Sequence, residues 1–139
     1  MNKLPRFLLL TVALFSTLAF TQSGPVLADL ASQDPVTLTK DDLAQLPPDA
    51  NMSRVTGDGH TQVWKNDPNG TFVISSGQVI TAAAKWHISD DGRYCVVNEW
   101  KHAPTEDWCR YIIKAGDAYY ATRSDKTATE RVHKLLISK

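Results

Sequence analysis

Cysteine and histidine are the residue types in this chain with the widest reactive and metal-binding chemistry. The 139 residues include two cysteines and four histidines, and the histidines are His60, His87, His102 and His133. The four histidines lie in separate segments, and no pair has the spacing that places two metal ligands on one helix or strand. We therefore predict no metal site and no cofactor.

Paired carboxylates can serve general acid–base catalysis, and the chain has such pairs at Asp41-Asp42 and Asp90-Asp91. Both pairs lie where helix N-termini and tight turns use aspartate to bind backbone N–H groups. The chain contains no Gly-x-Ser-x-Gly elbow, phosphate loop or Ser-x-x-Lys motif. We therefore predict no catalytic residue and a protein that is not an enzyme.

Residues 1–28 have the pattern of a secretory signal peptide. Lys3 and Arg6 precede an apolar run from Phe7 to Phe20, and Val26-Leu27-Ala28 supplies small residues for cleavage. The alternative is an uncleaved anchor, but the run of about fourteen residues is shorter than the roughly 20 that span a bilayer. We expect a periplasmic or secreted protein with no stable membrane anchor after signal cleavage.

Export determines how the two cysteines are interpreted. In an oxidising compartment, Cys95 and Cys109 are expected to form a disulfide bond rather than a metal pair or a redox centre. Closing this loop of about fifteen residues contributes about 3 kcal/mol in the chain-entropy model. The bond is therefore expected to supply a large share of the stability of a small domain.

The part of the chain after the signal has the size of one domain. Its 111 residues hold thirteen Lys and Arg against fifteen Asp and Glu, which lacks the basic excess of nucleic-acid-binding proteins. Residues 29–37 are polar and contain Pro35, so we predict a flexible leader there. Residues 38–139 are predicted to form a single β-rich domain.

One short helix and several strands are predicted to build this domain. Thr39 has the pattern of an N-cap with Asp42 three residues later, and Pro47-Pro48 ends the helix. The strands that follow are short and separated by glycine-containing turns. We predict a mainly β fold, an antiparallel meander that forms a small barrel or half-barrel with one short N-terminal helix and one disulfide. The predicted strands cover residues 61–66, 71–75, 83–89, 93–100, 108–114, 118–123 and 131–138.

The turns also predict a strand register. If Ser89 opposes Arg93 across Asp90-Asp91-Gly92, Trp86 faces Val96 and His87 faces Cys95. A direct pairing of Cys95 with Cys109 then sets Val96 opposite Trp108, so one face carries the row Trp86, Val96 and Trp108, and the other carries His87, Cys95 and Cys109. We expect the tryptophan face to form the core and the disulfide to lie shallow on the outer face. Val97, Tyr111 and Ile113 share the cysteine face, so that face is expected to be partly covered as well.

Four aromatic residues fall outside the predicted core rows and are candidate binding residues. They are Trp64, Trp100, Tyr119 and Tyr120, and His102 joins them from the surface loop 99–107. The same loop carries Glu99, Glu106 and Asp107, which suit either a solvated loop or a weak cation or partner site. We predict a non-enzymatic module that binds an unknown periplasmic protein, with a carrier of a small apolar ligand as the alternative.

Three segments resemble the domain of unknown function 995 family, which consists of small exported proteins of Gram-negative bacteria. They are Lys85–Cys95 (KWHISDDGRYC), Trp108–Arg110 (WCR) and Gly116–Tyr120 (GDAYY). Together with the opening segment at residues 38–46, the resemblance covers nearly all of the chain after the signal. Ala84 stands where the family pattern has glycine. The resemblance implies an exported domain with this cysteine pair, and no catalytic residue.

A second similarity is to small periplasmic inhibitors of secreted metalloproteases, which are disulfide-tied antiparallel barrels. Such inhibitors place an exposed N-terminal segment in the protease cleft, and the polar residues 29–36 would be the corresponding segment here. An inhibitor-like barrel is therefore a further alternative for the function.

Overall fold

The computed structural model describes residues 24–56, 59–74 and 81–139. Within these ranges the chain forms nine strands, one α-helix and one 3₁₀ helix. The helices are the 3₁₀ helix Leu27–Gln33 and α1 (Lys40–Gln45). The strands are β1 (Val36–Thr37), β2 (Asn51–Val55), β3 (Thr61–Asn66), β4 (Phe72–Ile74), β5 (Thr81–Ile88), β6 (Tyr94–Trp100), β7 (Glu106–Ala115), β8 (Ala118–Thr122) and β9 (Val132–Ser138).

Strands β2 to β9 form a nearly closed antiparallel barrel, which confirms the predicted fold class. Strands β2 to β4 pair in sequence order, strands β5 to β9 do the same, and β9 returns to pair with β2. The remaining junction lies between β4 and β5. There the described residues form one bridge between Thr71 and Lys85 and a hydrogen bond of 2.9 Å from the amide of Trp86 to the carbonyl of Gly70.

The predicted register of β5, β6 and β7 is confirmed. Trp86 pairs with Val96, and Val96 pairs with Trp108. On the opposite face Cys95 pairs directly with Cys109, their Cα atoms are 4.0 Å apart, and the two residues form a disulfide bond. The Asp-Gly turn was sufficient to align β5 with β6, and the expected pairing of the two cysteines aligned β6 with β7.

The inner face of the barrel carries the main hydrophobic core, as predicted for the tryptophan face. Buried residues of this core are Met52, Trp64, Phe72, Trp86, Tyr94, Val96, Ile112, Ala121 and Leu135. The disulfide lies on the outer face, but the expectation that it is shallow is wrong for Cys95, whose exposed fraction is 0%. A short side chain bonded to its cross-strand neighbour leaves little surface for water, while Cys109 remains half-buried.

Helix α1 lies against one end of the barrel, which we name the helix end. Thr39 caps α1 as predicted, accepting from the amide of Asp42, whose carboxylate accepts from the amide of Thr39 at 2.8 Å. Leu43 is fully buried in the main core. At the turn after β5, a Cβ on Gly92 would lie 3.5 Å from the amide nitrogen of Lys40, so helix and turn are in close contact.

The opposite end of the barrel is named the loop end. The connections β2–β3, β6–β7 and β8–β9 lie there.

The N-terminal segment packs on the outer face of the barrel. The 3₁₀ helix places Leu30 in a second cluster with Ile113, Ala115 and Val132, and β1 pairs with β7. We predicted a flexible leader over residues 29–37; in the structure this segment contains most of the 3₁₀ helix and all of β1. A single buried leucine among polar residues does not produce the apolar periodicity by which a packed helix is detected in a sequence.

Candidate binding site at the loop end of the barrel

A polar network crosses the middle of the barrel interior. The hydroxyl of Tyr94 donates to Oδ1 of Asn66 at 2.8 Å and accepts from Nε1 of Trp64 at 3.2 Å. The side-chain nitrogen Nδ2 of Asn66 donates to the sulfur of Met52 at 2.9 Å. Burial raises the pKa of Tyr94, so its hydroxyl stays protonated and available as a donor. This network satisfies buried polar atoms and binds the strands together.

Two arginines lie over the ring of Trp108 between this network and the loop end. The guanidinium carbon of Arg110 is 5.3 Å from the ring centroid and that of Arg54 is 5.8 Å from it. Both distances are in the range of cation–π attraction. Nε of Arg54 donates to Gln62 at 2.9 Å, and a terminal nitrogen of Arg110 donates to the carbonyl of Cys109 at 2.8 Å. Since a guanidinium carries five N–H groups, most of the donors in the pair have no partner in the part of the chain that the structure describes.

Two arginines and one carboxylate, that of Glu106, lie around Trp108. In ion pairs between described residues, neither Arg54 nor Arg110 takes part. Burial lowers the pKa of Arg110, and the charges of Arg123 and Arg54 lower it further, against the opposing effect of Glu130. The lowered pKa of Arg110 therefore has two causes, which are partial burial of its guanidinium and repulsion by the neighbouring arginines.

His133 on β9 lies in the same positive field. Burial lowers the pKa of His133 below its usual value of 6.5. The charges that lower it further, in decreasing order, are those of Arg54, Arg110, Arg131 and Arg123. The imidazole is therefore neutral near pH 7 and offers a hydrogen bond without adding charge.

A cavity of about 60 Å³ lies beneath these groups. Its deeper wall is apolar and includes Ile112, Ala121 and Leu135. Its polar lining consists of Arg54, Arg110, His133 and the tyrosine and tryptophan side chains of the network. At about 15 Å³ for each water-sized group, the cavity has room for roughly four such groups. The interior is therefore largely filled by side chains.

A second, smaller cavity of about 20 Å³ lies beside the first and shares Arg54, Trp64 and Trp108 with it. Asn98 lines it with a side chain that is 3% exposed, and Oδ1 of Asn98 has no hydrogen-bond partner among the described residues. A buried acceptor of this kind costs about 1–3 kcal/mol when it has no donor. A donor entering this cavity would therefore be bound favourably.

The strands around the cavity also leave an opening in the barrel wall. Strand β2 pairs with β9 only from Asn51 to Ser53, so the described pairing stops before Arg54. Arg54 and His133 line both the inner cavity and a groove of about 400 Å³ on the outer surface. These two side chains therefore stand between the solvent-exposed groove and the interior cavity.

The structure distributes the predicted binding residues over several places. Trp64 is buried in the core at 4% exposure, where it belongs to the polar network. Tyr119 packs against the main core and Tyr120 against the outer cluster that contains Leu30. Trp100 is half-buried at the last position of β6, and His102 is exposed in the following loop, so these two lie at the loop end.

The residues over the cavity were not among the predicted binding residues. Arg54 was missed because β2 was not predicted: Asn51–Val55 follows two prolines and has polar residues at three of its five positions. Arg110 and His133 lie on predicted strands at positions two residues from Ile112 and Leu135, which face the core. Residues two positions apart on a strand point to the same face of the sheet, so a polar residue at this spacing from a core residue is expected to face inward.

The side chains that could bind a metal or carry acid–base chemistry include those of the surface loop 99–107. The described residues contain no group of three His, Cys, Asp or Glu side chains that could hold a metal ion. In residues 99–107, which are described in full, no hydrogen bond joins Glu99, His102, Glu106 or Asp107 to another member of that set. The polar side chains that the structure brings together at the loop end are those of Arg54, Arg110 and His133, beside the ring of Trp108.

Comparison of the chain with protein-family models, with curated proteins and with solved structures gives no match in any of the three. The resemblance to the domain of unknown function 995 family therefore stays a prediction. A search of the described residues for a helix that is long and apolar enough to cross a membrane finds none.

Proposed function

We propose that this protein is an exported binding module that recognises its partner through the loop end of the barrel and catalyses no reaction. The observation that carries the proposal is the pair of guanidiniums of Arg54 and Arg110 over Trp108. Arginine and tryptophan are the residues most enriched among those that dominate binding energy at interfaces. Above the small cavity, the two guanidiniums supply positive charge and the indole of Trp108 supplies a flat apolar surface.

The size of the cavity argues against the apolar-ligand carrier. Sites for small-molecule ligands have volumes of about 300–1,000 Å³. The interior cavity has about 60 Å³, and its polar lining is cationic. A barrel with this interior suits a partner that inserts one small group, because a whole apolar ligand would not fit.

The position of the N-terminal segment gives no support to an inhibitor-like mode of action. An inhibitory segment must project from the barrel to reach a protease cleft. In the structure the 3₁₀ helix packs on the outer face with Leu30 at 2% exposure. The specific geometry therefore favours the loop end as the recognition surface.

Export is supported by two features of different kinds. The sequence has a signal-peptide pattern, and the structure contains the disulfide between Cys95 and Cys109. Structural disulfides persist in oxidising compartments such as the periplasm and the extracellular space. We therefore assign the module to the periplasm or to the secreted fraction.

Affinity capture from a periplasmic extract tests the proposal. The C-terminus follows β9 at the helix end, so a tag there leaves the loop end free. The bait is compared with the double variant Arg54→Gln/Arg110→Gln and with the control Lys65→Gln/Lys114→Gln, which removes two exposed charges elsewhere. Mass spectrometry of proteins and small molecules identifies what is retained.

The expected result is a defined set of retained molecules that the control keeps and the arginine variant loses. Circular dichroism and urea unfolding verify that both variants are folded. Retention of the same set by all three baits would place recognition elsewhere, and an empty set for the parent bait would count against a binding module.

A further inference from the structure

We propose that the loop end binds a carboxylate group carried on a short apolar chain, with the guanidiniums of Arg54 and Arg110 as its charged partners. This inference rests on the proposed function, because it names the chemical class that the same site takes. The carboxylate would lie beside the two guanidiniums, and the apolar chain would occupy the cavity beneath them.

The charge of the site favours an anion. Arg54 and Arg110 lie over one indole ring, at 5.8 and 5.3 Å, and neither forms an ion pair with a described carboxylate. Both side chains are half-buried, so their repulsion is less screened by water than on an open surface. An anion beside both guanidiniums relieves that repulsion and accepts from N–H groups that have no hydrogen-bond partner among the described residues.

The shape of the cavity favours a carboxylate over a phosphate. A carboxylate presents two oxygens on one side, which suits guanidinium donors, and an apolar substituent on the other. The deep wall of Ile112, Ala121 and Leu135 matches that substituent. A phosphate would turn a further charged oxygen toward the same apolar wall, at a cost in desolvation. The volume of about 60 Å³ restricts the apolar chain to a few carbon atoms.

Isothermal titration calorimetry with defined probes tests the proposal on the full chain after export. The probes are butyrate, its neutral isostere butyramide, and inorganic phosphate. We expect saturable binding of butyrate at low ionic strength, and at least tenfold weaker binding of butyramide. Arg54→Gln and Arg110→Gln are each expected to weaken butyrate binding about tenfold, since a hydrogen bond to a charged group contributes about that factor or more. Lys65→Gln, which removes one exposed charge outside the cavity lining, is the control expected to bind like the parent.

Several outcomes would overturn the carboxylate site. Equal binding of butyrate and butyramide would remove the role of charge, and binding of phosphate without butyrate would indicate a different ligand class. Butyrate binding that survives both arginine substitutions would place it elsewhere. If butyrate does not bind but the arginine variant still loses its captured partners, the carboxylate inference fails and the binding module stands.

An independent observation concerns the start of the mature protein. The carbonyl of Pro25 accepts from the amide of Val132 at 3.0 Å, and the amides of Leu27 and Ala28 donate to carbonyls of the β8–β9 connection, each at 2.9 Å. Leu27 also packs against the outer hydrophobic cluster. We infer that signal cleavage leaves residues 25–28 on the mature protein, upstream of the boundary that the small residues Val26-Leu27-Ala28 predict.

Small residues at Thr17-Leu18-Ala19 offer an earlier cleavage position. Expression of the full chain in a Gram-negative host, followed by N-terminal sequencing and intact mass of the periplasmic product, tests this inference. The expected product begins at or before Pro25. A product that begins at Asp29 would overturn it.

Discussion

The hydroxyl of Tyr94 donates a hydrogen bond of 2.8 Å to Oδ1 of Asn66 inside the barrel. Tyr94 is 1% exposed and Asn66 is fully buried. The two residues come from β6 and β3, which do not pair with one another in the sheet. This bond therefore crosses the barrel interior. It joins β3 to β6, and so links strands on either side of the weak junction between β4 and β5.

Substitution Tyr94→Phe is expected to destabilise the protein by about 1–3 kcal/mol. It removes one hydroxyl and leaves Oδ1 of Asn66 and Nε1 of Trp64 buried without a partner. Urea unfolding followed by tryptophan fluorescence measures the change. Tyr120→Phe is the control, because Tyr120 packs against the outer cluster and its hydroxyl forms no hydrogen bond with another described residue. Equal, small losses in both variants would show that the network contributes little.

Removal of the disulfide by Cys95→Ala/Cys109→Ala is expected to cost about 3 kcal/mol. The bond joins residues separated by 14 positions, and the chain-entropy model assigns about that value to a loop of this size. Urea unfolding of the variant is compared with the parent protein, oxidised and after reduction. The reduced parent is expected to unfold at the same urea concentration as the variant. An unchanged midpoint in the variant would contradict the stabilising role of the bond.

The stability of the protein is expected to decrease as the pH falls below about 6.5. Burial and the arginines around it lower the pKa of His133 in the folded protein, whereas in the unfolded chain it has its ordinary value of 6.5. The unfolded state then binds more protons below that pH, so protonation favours unfolding until the folded-state pKa is passed. NMR titration of the His133 imidazole measures the pKa directly. The variant Arg54→Gln is expected to raise it toward 6.5, and an unshifted pKa in the parent would contradict the positive field.

Substitution Leu43→Ala at the helix end is expected to cost about 2–5 kcal/mol. Leu43 is fully buried in the main core, so its truncation leaves a cavity beneath α1. Leu136→Ala is the matched control: Leu136 is 62% exposed on the outer face, and a loss within about 0.5 kcal/mol is expected there. Thermal and urea unfolding of both variants measure the difference. A small decrease in unfolding free energy for Leu43→Ala would mean that packing of α1 on the helix end contributes little to stability.

Much of the fold was predictable because its signals are local. The residues around Asp90-Asp91-Gly92 specify a tight turn, and Gly92 has the positive φ of 75° that glycine adopts readily. The turn aligns β5 with β6, and the disulfide expected in an exported protein aligns β6 with β7 through Cys95 and Cys109. Capping of α1 by Thr39 was predictable for the same reason, since its partner lies three residues away.

The candidate site was predictable only in small part. Trp100 and His102 lie at the loop end as solvent-accessible residues, but Arg54, Arg110 and Trp108 form the described cluster. Trp108 is predicted to face the core together with Trp86 and Val96. No nearby residue in the sequence indicates that two arginine side chains stack over its indole ring. Such a cluster depends on which strands become neighbours across the barrel.

Local signals in the chain were enough to predict the meander from β5 to β9, the disulfide and the inward face of Trp86 and Trp108, because turn chemistry, side-chain alternation and the pairing of two cysteines need no knowledge of the closed barrel. The return of β9 to β2, where Ser53 pairs with Leu136, is seen only in the folded protein. That pairing joins segments more than eighty positions apart, and it forms because closure of the barrel satisfies the exposed edges of both strands. Closure also brought Arg54 to the ring of Trp108, and with it the candidate binding site.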